Sequence, residues 1–409
     1  MRRMNEPLRP AADWELASMI ASFASRNQPV EIVGNRTKAR VGRPMQTAAT
    51  ITTQSLRGIR MYEPTELVMS AQAGTPLAQI EAELAGNGQM LAFEPIDLGP
   101  ATGGQAGLQS IGGVFAANLS GARRVTAGAA RDHLIGIKGV NGRSEIFKSG
   151  GRVMKNVTGY DLSRGLAGSW GTLAVLTEVT FKVLPLPETA TTLVYQSLPD
   201  DIAIELLCTA MGTPFEVSGA AHLTPGLVRR LGNISLAAPG RPLTAVRIEN
   251  FAASVAYRRD RLAEILKAYG APIELDYGET VNFWGELRQL RVLSDSATCL
   301  WRISTAPKNG PKVISAITRH MQAEAYYDWS GGLIWVEVPA SADAGASDVR
   351  RAVAVHGGHA TLMRADPQVR ASIDVFQPQT PTLERLTRGL KEAFDPQGIL
   401  NPGRMYAGV

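Results

Sequence analysis

A short basic loop near the start of the chain has the composition of a phosphate site. Residues 29–34, PVEIVG, have the pattern of a buried strand, and the loop GNRTK at residues 34–38 ends that strand. Consecutive backbone N–H groups in such a turn, with a hydroxyl and two cations, can hold a pair of phosphates. Neither GxxxxGK[ST] nor a GxGxxG after a strand is present, so no known nucleotide motif supports the phosphate site. A solvated basic loop therefore remains the alternative explanation of these residues.

A second segment, IGGVFAANLSG at residues 111–121, is rich in small side chains. Gly112, Gly113 and Gly121 let a ligand or a second backbone approach closely, because glycine has no Cβ. Asn118 adds hydrogen-bond donors and an acceptor. Tight packing of a helix on a sheet is an equal alternative.

The third segment, KNVTGYDLSRGLAGSWGTL at residues 155–173, leads into an apolar strand. It closes a 73-residue window, residues 99–171, that holds 17 of the 41 glycines. Such a loop costs conformational entropy on folding, and long loops without a function are uncommon in compact domains. We therefore expect it to surround a ligand, with a plain surface loop as the alternative.

The C-terminal segment DPQGILNPGR, residues 395–404, contains two prolines and two glycines that favour one rigid shape. Arg404 in this segment can reach an anionic or carbonyl group at a site formed elsewhere, although a rigid terminal turn explains the pattern too. The pair His356 and His359 has no carboxylate between or directly after it. We interpret it as a turn before a strand rather than a metal site.

Composition excludes several classes of protein. The 409 residues predict two or three domains. The net charge is +5 and no long run of like charges occurs, so nucleic-acid binding is not indicated. Two cysteines without CxxC argue against a disulfide framework and a cysteine-bound metal cluster. Without an apolar leader or an 18-residue apolar stretch, we expect a cytoplasmic protein with no transmembrane segment.

Before residue 187 the pattern alternates short strands with helices. Apolar spacing predicts a helix over residues 13–24, a strand over 66–72 and a helix starting after Pro76. Residues 132–151 read as a hairpin that turns at Asn141-Gly142, a strong turn signal. The segment LPLPETATT, residues 184–192, reads as a linker.

After the linker, strand pairs are interleaved with helices. We predict a strand over residues 244–251, a helix over about 311–325 and a hairpin over 326–338. A further strand over 359–365 and a last helix over 382–394 follow. This pattern favours an antiparallel sheet covered on one face by helices.

Taken together and in this order, the four segments resemble the FAD-binding domain of the vanillyl-alcohol-oxidase/p-cresol-methylhydroxylase (PCMH) type. The runs GGRVMKNVTGYDLSRGLAGSWGTLAVLTEVTFKVLP and GARRVTAGAARDHLIGIKGVNG resemble, within this family, the FAD-binding subunits of bacterial glycolate oxidases. The resemblance implies an α+β fold. A two-subdomain PCMH-type FAD-binding domain would span residues 1–187, a cap domain with an antiparallel sheet 188–380, and a C-terminal segment returning to the FAD domain 381–409.

The resemblance also places an FAD cofactor. The loop 34–38 would hold its pyrophosphate, the glycine segments would line the dinucleotide, the backbone near Val179 would lie by the adenine, and Arg404 would approach the flavin. The residues implied in FAD binding are Gly34, Asn35, Arg36, Thr37, Lys38, Gly74, Gly112, Gly113, Asn118, Gly121, Thr158, Gly159, Tyr160, Gly168, Gly171, Thr172, Val179 and Arg404. Because the loop holds no histidine, we expect non-covalent FAD, and we expect no metal.

The cap departs from its catalytic relatives. Hydroxy-acid dehydrogenases of the family carry a signature resembling HxxGDGNxH, whereas residues 356–365 read HGGHATLMRA. Oxidation of a 2-hydroxy acid needs a cation for the carboxylate and a base for the hydroxyl. Arg302, Arg364 and His359 are candidates that no spacing selects, so the catalytic residues stay unknown.

The resemblance therefore implies an FAD-binding subunit of a glycolate (D-2-hydroxy acid) oxidase complex that is incomplete alone. It implies a paralogous catalytic flavoprotein subunit and an iron–sulfur subunit as partners, a small 2-hydroxy acid as substrate, and peripheral membrane association through the complex alone. Two alternatives stay open: a stand-alone FAD-dependent dehydrogenase of another hydroxy acid, and a flavin-free scaffold subunit.

Overall fold

The computed structural model describes residues 6–151, 160–295 and 297–409. The described strands form a parallel pair, a five-stranded sheet, an eight-stranded sheet and one short antiparallel pair. The mixture of helices and antiparallel sheets confirms the predicted α+β class. Across the described ranges, no helix has the length and apolar character needed to cross a membrane.

The first unit is the parallel pair with one helix packed on it. Its elements are α1 (Asp13–Ala24), β1 (Val30–Val33) and β2 (Ala49–Thr52). Leu16, Ile20 and Phe23 are the buried residues of α1, as their helical spacing predicts. They pack with Ile51 and Leu400 in one apolar cluster, so the predicted helix is confirmed.

The C-terminal tail completes the first unit. Leu400 forms a parallel bridge with Val30, and the side chain of Asn401 accepts a hydrogen bond from the backbone N–H of Ile32 at 2.7 Å. These contacts join segments 369 residues apart. The tail therefore fixes the end of β1, where the loop 34–38 begins.

The second unit contains the five-stranded antiparallel sheet. Its elements are β3 (Ile59–Glu63), β4 (Val68–Gln72), α2 (Leu77–Gly86), β5 (Gln89–Met90), α3 (Ile111–Ala117), α4 (Arg124–Ala127), α5 (Ala130–His133), β6 (Leu134–Asn141), β7 (Ile146–Gly150), α6 (Leu162–Leu166) and β8 (Ala174–Lys182). The strand order is β3-β4-β8-β6-β7. The predicted hairpin at Asn141-Gly142 is the β6–β7 pair, and the strand predicted from residue 66 begins at Val68.

The predicted linker at residues 184–192 is largely strand, so that prediction was wrong. The segment contains β9 (Leu184–Pro185) and the start of β10 (Thr189–Gln196). Strand β9 pairs with β5, and Thr189 pairs with Asn250 in the next sheet. Proline at 185 is tolerated because it lies on a two-residue edge pair.

The third unit contains the eight-stranded antiparallel sheet. Its further elements are α7 (Asp200–Met211), β11 (Gly219–Leu223), α8 (Pro225–Val228), α9 (Ile234–Ala237), β12 (Leu243–Asn250), α10 (Ala252–Ile265), β13 (Ile273–Leu275), α11 (Tyr277–Arg288), β14 (Thr298–Ser304), α12 (Gly310–Thr318), β15 (Glu324–Asp328), β16 (Leu333–Pro339), α13 (Ala346–His356), β17 (His359–Arg364), α14 (Pro367–Ser372) and α15 (Pro381–Phe394). The strand order is β13-β10-β12-β11-β15-β16-β14-β17.

Most elements of this unit match the sequence pattern. The helix predicted over 311–325 is wrong at its end, because α12 stops at Thr318 and β15 begins at Glu324, paired with Glu337. The hairpin is confirmed as β15 and β16. Helices cover the sheet face that carries His222, whose Nε2–H donates to Asp200 Oδ1 of α7 at 3.2 Å.

The opposite sheet face meets the second unit through buried ion pairs. Arg247 of β12 pairs with Glu94 at 2.9 Å, and Arg123 pairs with Glu249 at 2.6 Å. The indole N–H of Trp329 donates to Gly121 O at 3.0 Å. The division of the chain into an FAD-binding domain (1–187), a cap domain (188–380) and a C-terminal segment (381–409) remains our proposal.

Candidate functional site

A cleft opens where the first and second units meet. It encloses about 700 Å³ of empty space, including its open mouth. All four glycine-rich or basic segments of the sequence contribute to its wall: residues 34–38, the start of α3, residues 169–171 and Arg404. Segments far apart in sequence thus converge at one place.

The loop 34–38 presents free backbone donors. The backbone N–H groups of residues 35–38 donate no hydrogen bond to any described residue. Arg36 has a φ of +60°, in the left-handed region, and such alternation turns successive N–H groups toward a common side. A set of free amides in a cleft wall is a site for an anion.

Lys38 adds a charge to these donors. Its residue surface is only 8% exposed, and its Nζ donates to Gln109 Oε1 at 2.7 Å. Burial lowers the pKa of Lys38 to about 8, although Asp97 opposes this effect. Because a buried ammonium is costly without an anion, the position favours a negatively charged ligand.

Arg404 brings the tail to the same loop. Its Nη2 donates to Lys38 O at 2.7 Å, and its guanidinium lies over the Trp170 ring, 5.4 Å from the centroid. Its Nε is buried and has no hydrogen-bond partner among the described residues. Burial lowers the pKa of Arg404 to about 10, so this cation too lacks full compensation.

The glycines of the cleft wall are required by close backbone approach. A Cβ on Gly34 would lie 2.3 Å from Ser110 Oγ, and one on Gly112 would lie 2.6 Å from the Cβ of Ala73. The glycine segments therefore both pack tightly and line the cleft, so the two interpretations of their sequence do not exclude each other.

About half of the residues predicted to bind FAD line the cleft. They are Gly34, Asn35, Arg36, Thr37, Lys38, Gly112, Gly113, Gly171 and Arg404. Asn35 is also anchored, because its side-chain amide donates to Leu108 O at 2.9 Å. The binding role of these residues stays a prediction that their position supports.

Several predicted residues lie behind the cleft wall. Gly74 packs against Thr53, where a Cβ would lie 2.0 Å from the carbonyl oxygen. Asn118 ends α3 with a φ of +50° and accepts a hydrogen bond from the N–H of Arg131 at 2.9 Å. Gly121 contacts Trp329 of the cap.

The remaining predicted residues are distributed along the third segment and β8. The side chain of Thr172 is buried and bonds to Ser169 O at 2.8 Å, and Val179 is buried in β8. Gly168 has a φ of +87° and lies beside Asn118. Tyr160 is 94% exposed. Thr158 and Gly159 lie outside the described residues.

Sequence reasoning missed part of the wall. Ser110 and Ala73 lie directly behind Gly34 and Gly112, and Gln109 binds Lys38. The serine before the glycine pair was a signal for Ser110. No local pattern marks Ala73 or Gln109, because only the packing of the fold brings Ala73 to the cleft and Gln109 to Lys38.

The fold and the cleft together define a class of protein. Two α+β units border a cleft whose wall contains free amides, buried cations and glycines, and the eight-stranded sheet faces these units. The donor set fits the pyrophosphate of a dinucleotide, because phosphates prefer amides and cations. This is the arrangement expected of an FAD-binding oxidoreductase with a cap domain.

Comparisons with known proteins agree. Residues 8–150 match the family model described as FAD binding domain. The glycolate oxidase subunit GlcE of Escherichia coli (strain K12) is 35% identical over 400 residues, which cover 96% of this chain and 97% of that protein. The glycolate oxidase subunit GlcD of Bacillus subtilis (strain 168) is 25% identical, over 73% of this chain and 68% of its own length.

The fold has solved counterparts. The structure of p-cresol methylhydroxylase with substrate bound superposes with a TM-score of 0.72 at 12% identity, covering 98% of this chain and 88% of that one. The chain belongs to the family of FAD-linked oxidoreductases that contains the GlcE subunit, and its fold is the one seen in p-cresol methylhydroxylase. The cofactor of the family is FAD, and its non-covalent binding here stays our prediction.

Proposed function

We propose that the chain is the FAD-binding subunit of a complex that oxidises glycolate, or a related D-2-hydroxy acid, to the 2-oxo acid. The observation that carries the proposal is the cleft, where the free amides of residues 35–38 meet Lys38 and Arg404. Its support is the match to a named glycolate oxidase subunit over 96% of the chain.

Each group in the cleft has a separate task. The amides of residues 35–38 and the ammonium of Lys38 bind the phosphate charge. Arg404 holds the tail against the loop through Lys38 O and keeps the wall at Trp170 in place. A bound FAD, held through its pyrophosphate by residues 35–38 and Lys38, would supply redox chemistry to the complex.

The cap supports a division of labour with a second flavoprotein. The described residues contain no group of three or more His, Cys, Asp or Glu that could hold a metal. His222 of the cap sheet is buried and bonded to Thr244 at 2.8 Å and to Asp200 at 3.2 Å, so it has structural partners. We infer that a paralogous catalytic subunit activates the substrate hydroxyl.

Electrons must leave through another carrier. The two cysteines, Cys208 and Cys299, are free and lie on separate elements. An iron–sulfur cluster needs about four ligands, mostly cysteine thiolates. An iron–sulfur subunit is therefore our proposed second partner.

Reconstitution of the complex tests this function. We expect the purified chain to be yellow, with an equimolar amount of FAD that acid releases, and to oxidise little glycolate with an artificial acceptor. Addition of the partner subunits should produce turnover. Absence of flavin after reconstitution would favour the scaffold alternative, and rapid turnover by the chain alone would favour a stand-alone dehydrogenase.

A further inference from the structure

A group of cations lies where the cap sheet faces the second unit, outside the cleft at the loop 34–38. Arg302 is in the middle of β14 and pairs across the sheet with Trp335 of β16. Trp329, between β15 and β16, bonds to Gly121 O at 3.0 Å. Arg124 follows three residues later in α4, so two units meet at this point.

Two guanidinium groups contact the same indole ring. The guanidinium carbon of Arg124 lies 4.2 Å from the centroid of the Trp329 ring, and that of Arg302 lies 5.4 Å from it. An aromatic face offsets only part of the cost of removing a cation from water. Two like charges beside one ring also repel each other.

Among the described residues, neither Arg124 nor Arg302 forms a salt bridge, although Asp132 and Asp328 act on these two cations from a greater distance. Arg302 Nε is buried without a hydrogen-bond partner. The pKa of Arg302 is lowered to about 10, first by burial and then by the charge of Arg124, while Asp328 opposes the change. Burial and the charge of Arg131 likewise lower the pKa of Arg124.

Other buried arginines of the same sheet are paired. Arg364 of β17 donates to Glu337 Oε1 at 2.9 Å and also to backbone carbonyls. Arg247 of β12 pairs with Glu94 at 2.9 Å. Since the sheet elsewhere places a carboxylate beside each of these guanidiniums, Arg302 marks a position for an external anion.

The carboxyl group that acts on Arg302 does not supply the missing charge. Asp328 is fully buried and already accepts hydrogen bonds from the Tyr326 hydroxyl at 2.9 Å and the Trp329 N–H at 2.8 Å. Burial raises the pKa of Asp328 to about 7. A large share of this carboxyl is therefore neutral near pH 7.

His359 opens the group to solvent. It is an exposed residue at the start of β17, paired across the sheet with Ser304 of β14. Its pKa is lowered by burial of the ring and by the charges of Arg302, Arg124 and Arg350. The imidazole is therefore mainly neutral near pH 7 and can accept a hydrogen bond from a ligand.

We propose that Arg124, Arg302 and His359 form a binding site for a small carboxylate, with the Trp329 ring as its floor. A guanidinium fork binds a carboxylate through two parallel hydrogen bonds, and the imidazole faces the open side. The ligand class, 2-hydroxy and 2-oxo acids, rests on the proposed function. The chain thus binds the substrate or product class in its own cap, and the proposal includes no chemical step.

Titration calorimetry on the FAD-loaded full chain tests the site. Glycolate is the probe, glycolamide its uncharged analogue, and inorganic phosphate the competing anion. We expect saturable glycolate binding, with glycolamide at least about tenfold weaker because its charge and bidentate geometry are lost, and with phosphate competing for the same guanidinium groups. We expect R302Q to weaken glycolate binding by about tenfold or more.

Two further variants keep the result interpretable. R124Q replaces a partly exposed side chain and should also weaken glycolate binding. It therefore tests the site even if R302Q fails to fold. R26Q is the matched control, because Arg26 also lies over an aromatic ring, 5.2 Å from the Phe23 centroid, but in the turn that follows α1. It should bind glycolate like the unsubstituted chain.

Equal binding of glycolate and glycolamide would overturn the carboxylate site, as would glycolate binding that excess phosphate does not reduce. Unchanged glycolate binding by both R302Q and R124Q would overturn it as well, as would loss of FAD rather than of glycolate in these variants. FAD content is read separately from absorbance. An empty FAD cleft would therefore contradict the proposed function, whereas a failed glycolate titration would contradict this inference alone.

Discussion

At the scale of single residues, Lys38 connects burial to ligand binding. The side chain is buried, and its ammonium has the amide oxygen of Gln109 as partner at 2.7 Å. A neutral partner does not compensate a buried positive charge. This uncompensated burial lowers the pKa of Lys38 to about 8. A phosphate bound in the cleft would raise that pKa again.

The pH dependence of FAD binding follows from this shift. Below pH 8 the ammonium is present before FAD binds, whereas above pH 8 binding must also take up a proton. The Kd for FAD should therefore rise between pH 7 and 9.5, by at most about tenfold per unit. Fluorescence titration measures it. K38M should show a flatter profile, and identical pH profiles for the two proteins would contradict this role of Lys38.

At the scale of elements, the segment between α6 and β8 shapes one wall of the cleft. Gly168 has a φ of +87°, whereas Gly165 in α6 has helical backbone and open space around its missing Cβ. The residues that follow, from Ser169 to Gly171, line the cleft. The two glycines therefore allow a matched comparison.

We predict that G168A loses about 1–2 kcal/mol of unfolding free energy, the cost of left-handed backbone for a residue with a Cβ. It should also lose FAD affinity, because the strain falls on the wall of the cleft. G165A should be neutral or slightly stabilising. Urea unfolding measures the stability and FAD titration measures the affinity. An unchanged FAD affinity in G168A would contradict the role of this segment in the wall of the cleft.

Helix α15 connects the tail to the same wall. Lys391 Nζ donates to Thr172 O at 2.7 Å and to Leu400 O at 3.0 Å, and it pairs with Asp395 at 2.8 Å. Asp395 is 1% exposed. One side chain therefore holds the tail, the helix and the start of β8 together.

Replacement of Lys391 by Met should cost about 3 kcal/mol, because it leaves a buried carboxylate without its cation. R388A is the matched control on the same helix. Its partner Glu384 and Arg388 itself are about half exposed, and such pairs contribute about 0.3–0.5 kcal/mol. Equal losses in urea unfolding for the two variants would contradict the structural role of Lys391.

Local patterns predicted elements well where the signal is local. The helix over residues 13–24 and the hairpin at Asn141-Gly142 depend on spacing and turn chemistry within a few residues. The linker at 184–192 and the end of α12 were mispredicted, because strand pairing with distant segments decides them. The free amides of residues 35–38 were predictable, whereas the partner of Lys38 required the fold.

At the scale of the whole molecule, four buried charges join the cap to the second unit. Arg123 and Arg247 alternate with Glu94 and Glu249 at 2.6 to 3.3 Å. Burial alone would raise the pKa of Glu94, but the two guanidiniums outweigh burial and hold it well below its usual range. The network therefore requires the ionised carboxylate.

The sign of the resulting pH effect is fixed. Because the pKa of Glu94 is lowered on folding, its ionised carboxylate stabilises the fold at pH values above the ordinary pKa of 4.5. This contribution to the free energy of unfolding is lost as the pH falls below 4.5. E94Q should be less stable than the unsubstituted chain by about 3 kcal/mol at pH 7. The difference should shrink toward pH 3, as chemical denaturation at both pH values would show. A constant difference would contradict the ionic role.

The carboxylate site that we propose in the cap was not predictable from the sequence. Arg302, Arg364 and His359 could not be ranked, since nothing in their spacing reveals partners. The structure separates them: Arg364 is paired with Glu337, whereas Arg302 and Arg124 share the Trp329 ring. Pairing across a sheet and between units decides which cation is free, and a linear pattern does not encode it.

The central claim is that FAD in the cleft of this chain supports glycolate oxidation by a complex. The most direct measurement is glycolate-dependent reduction of an artificial acceptor by the reconstituted complex, made with the unsubstituted chain, with K38E, and with R26E as control. We expect K38E to remove FAD from this chain and to lower turnover at least about tenfold, and R26E to change neither. Full turnover by a K38E complex whose cleft holds no FAD would contradict it.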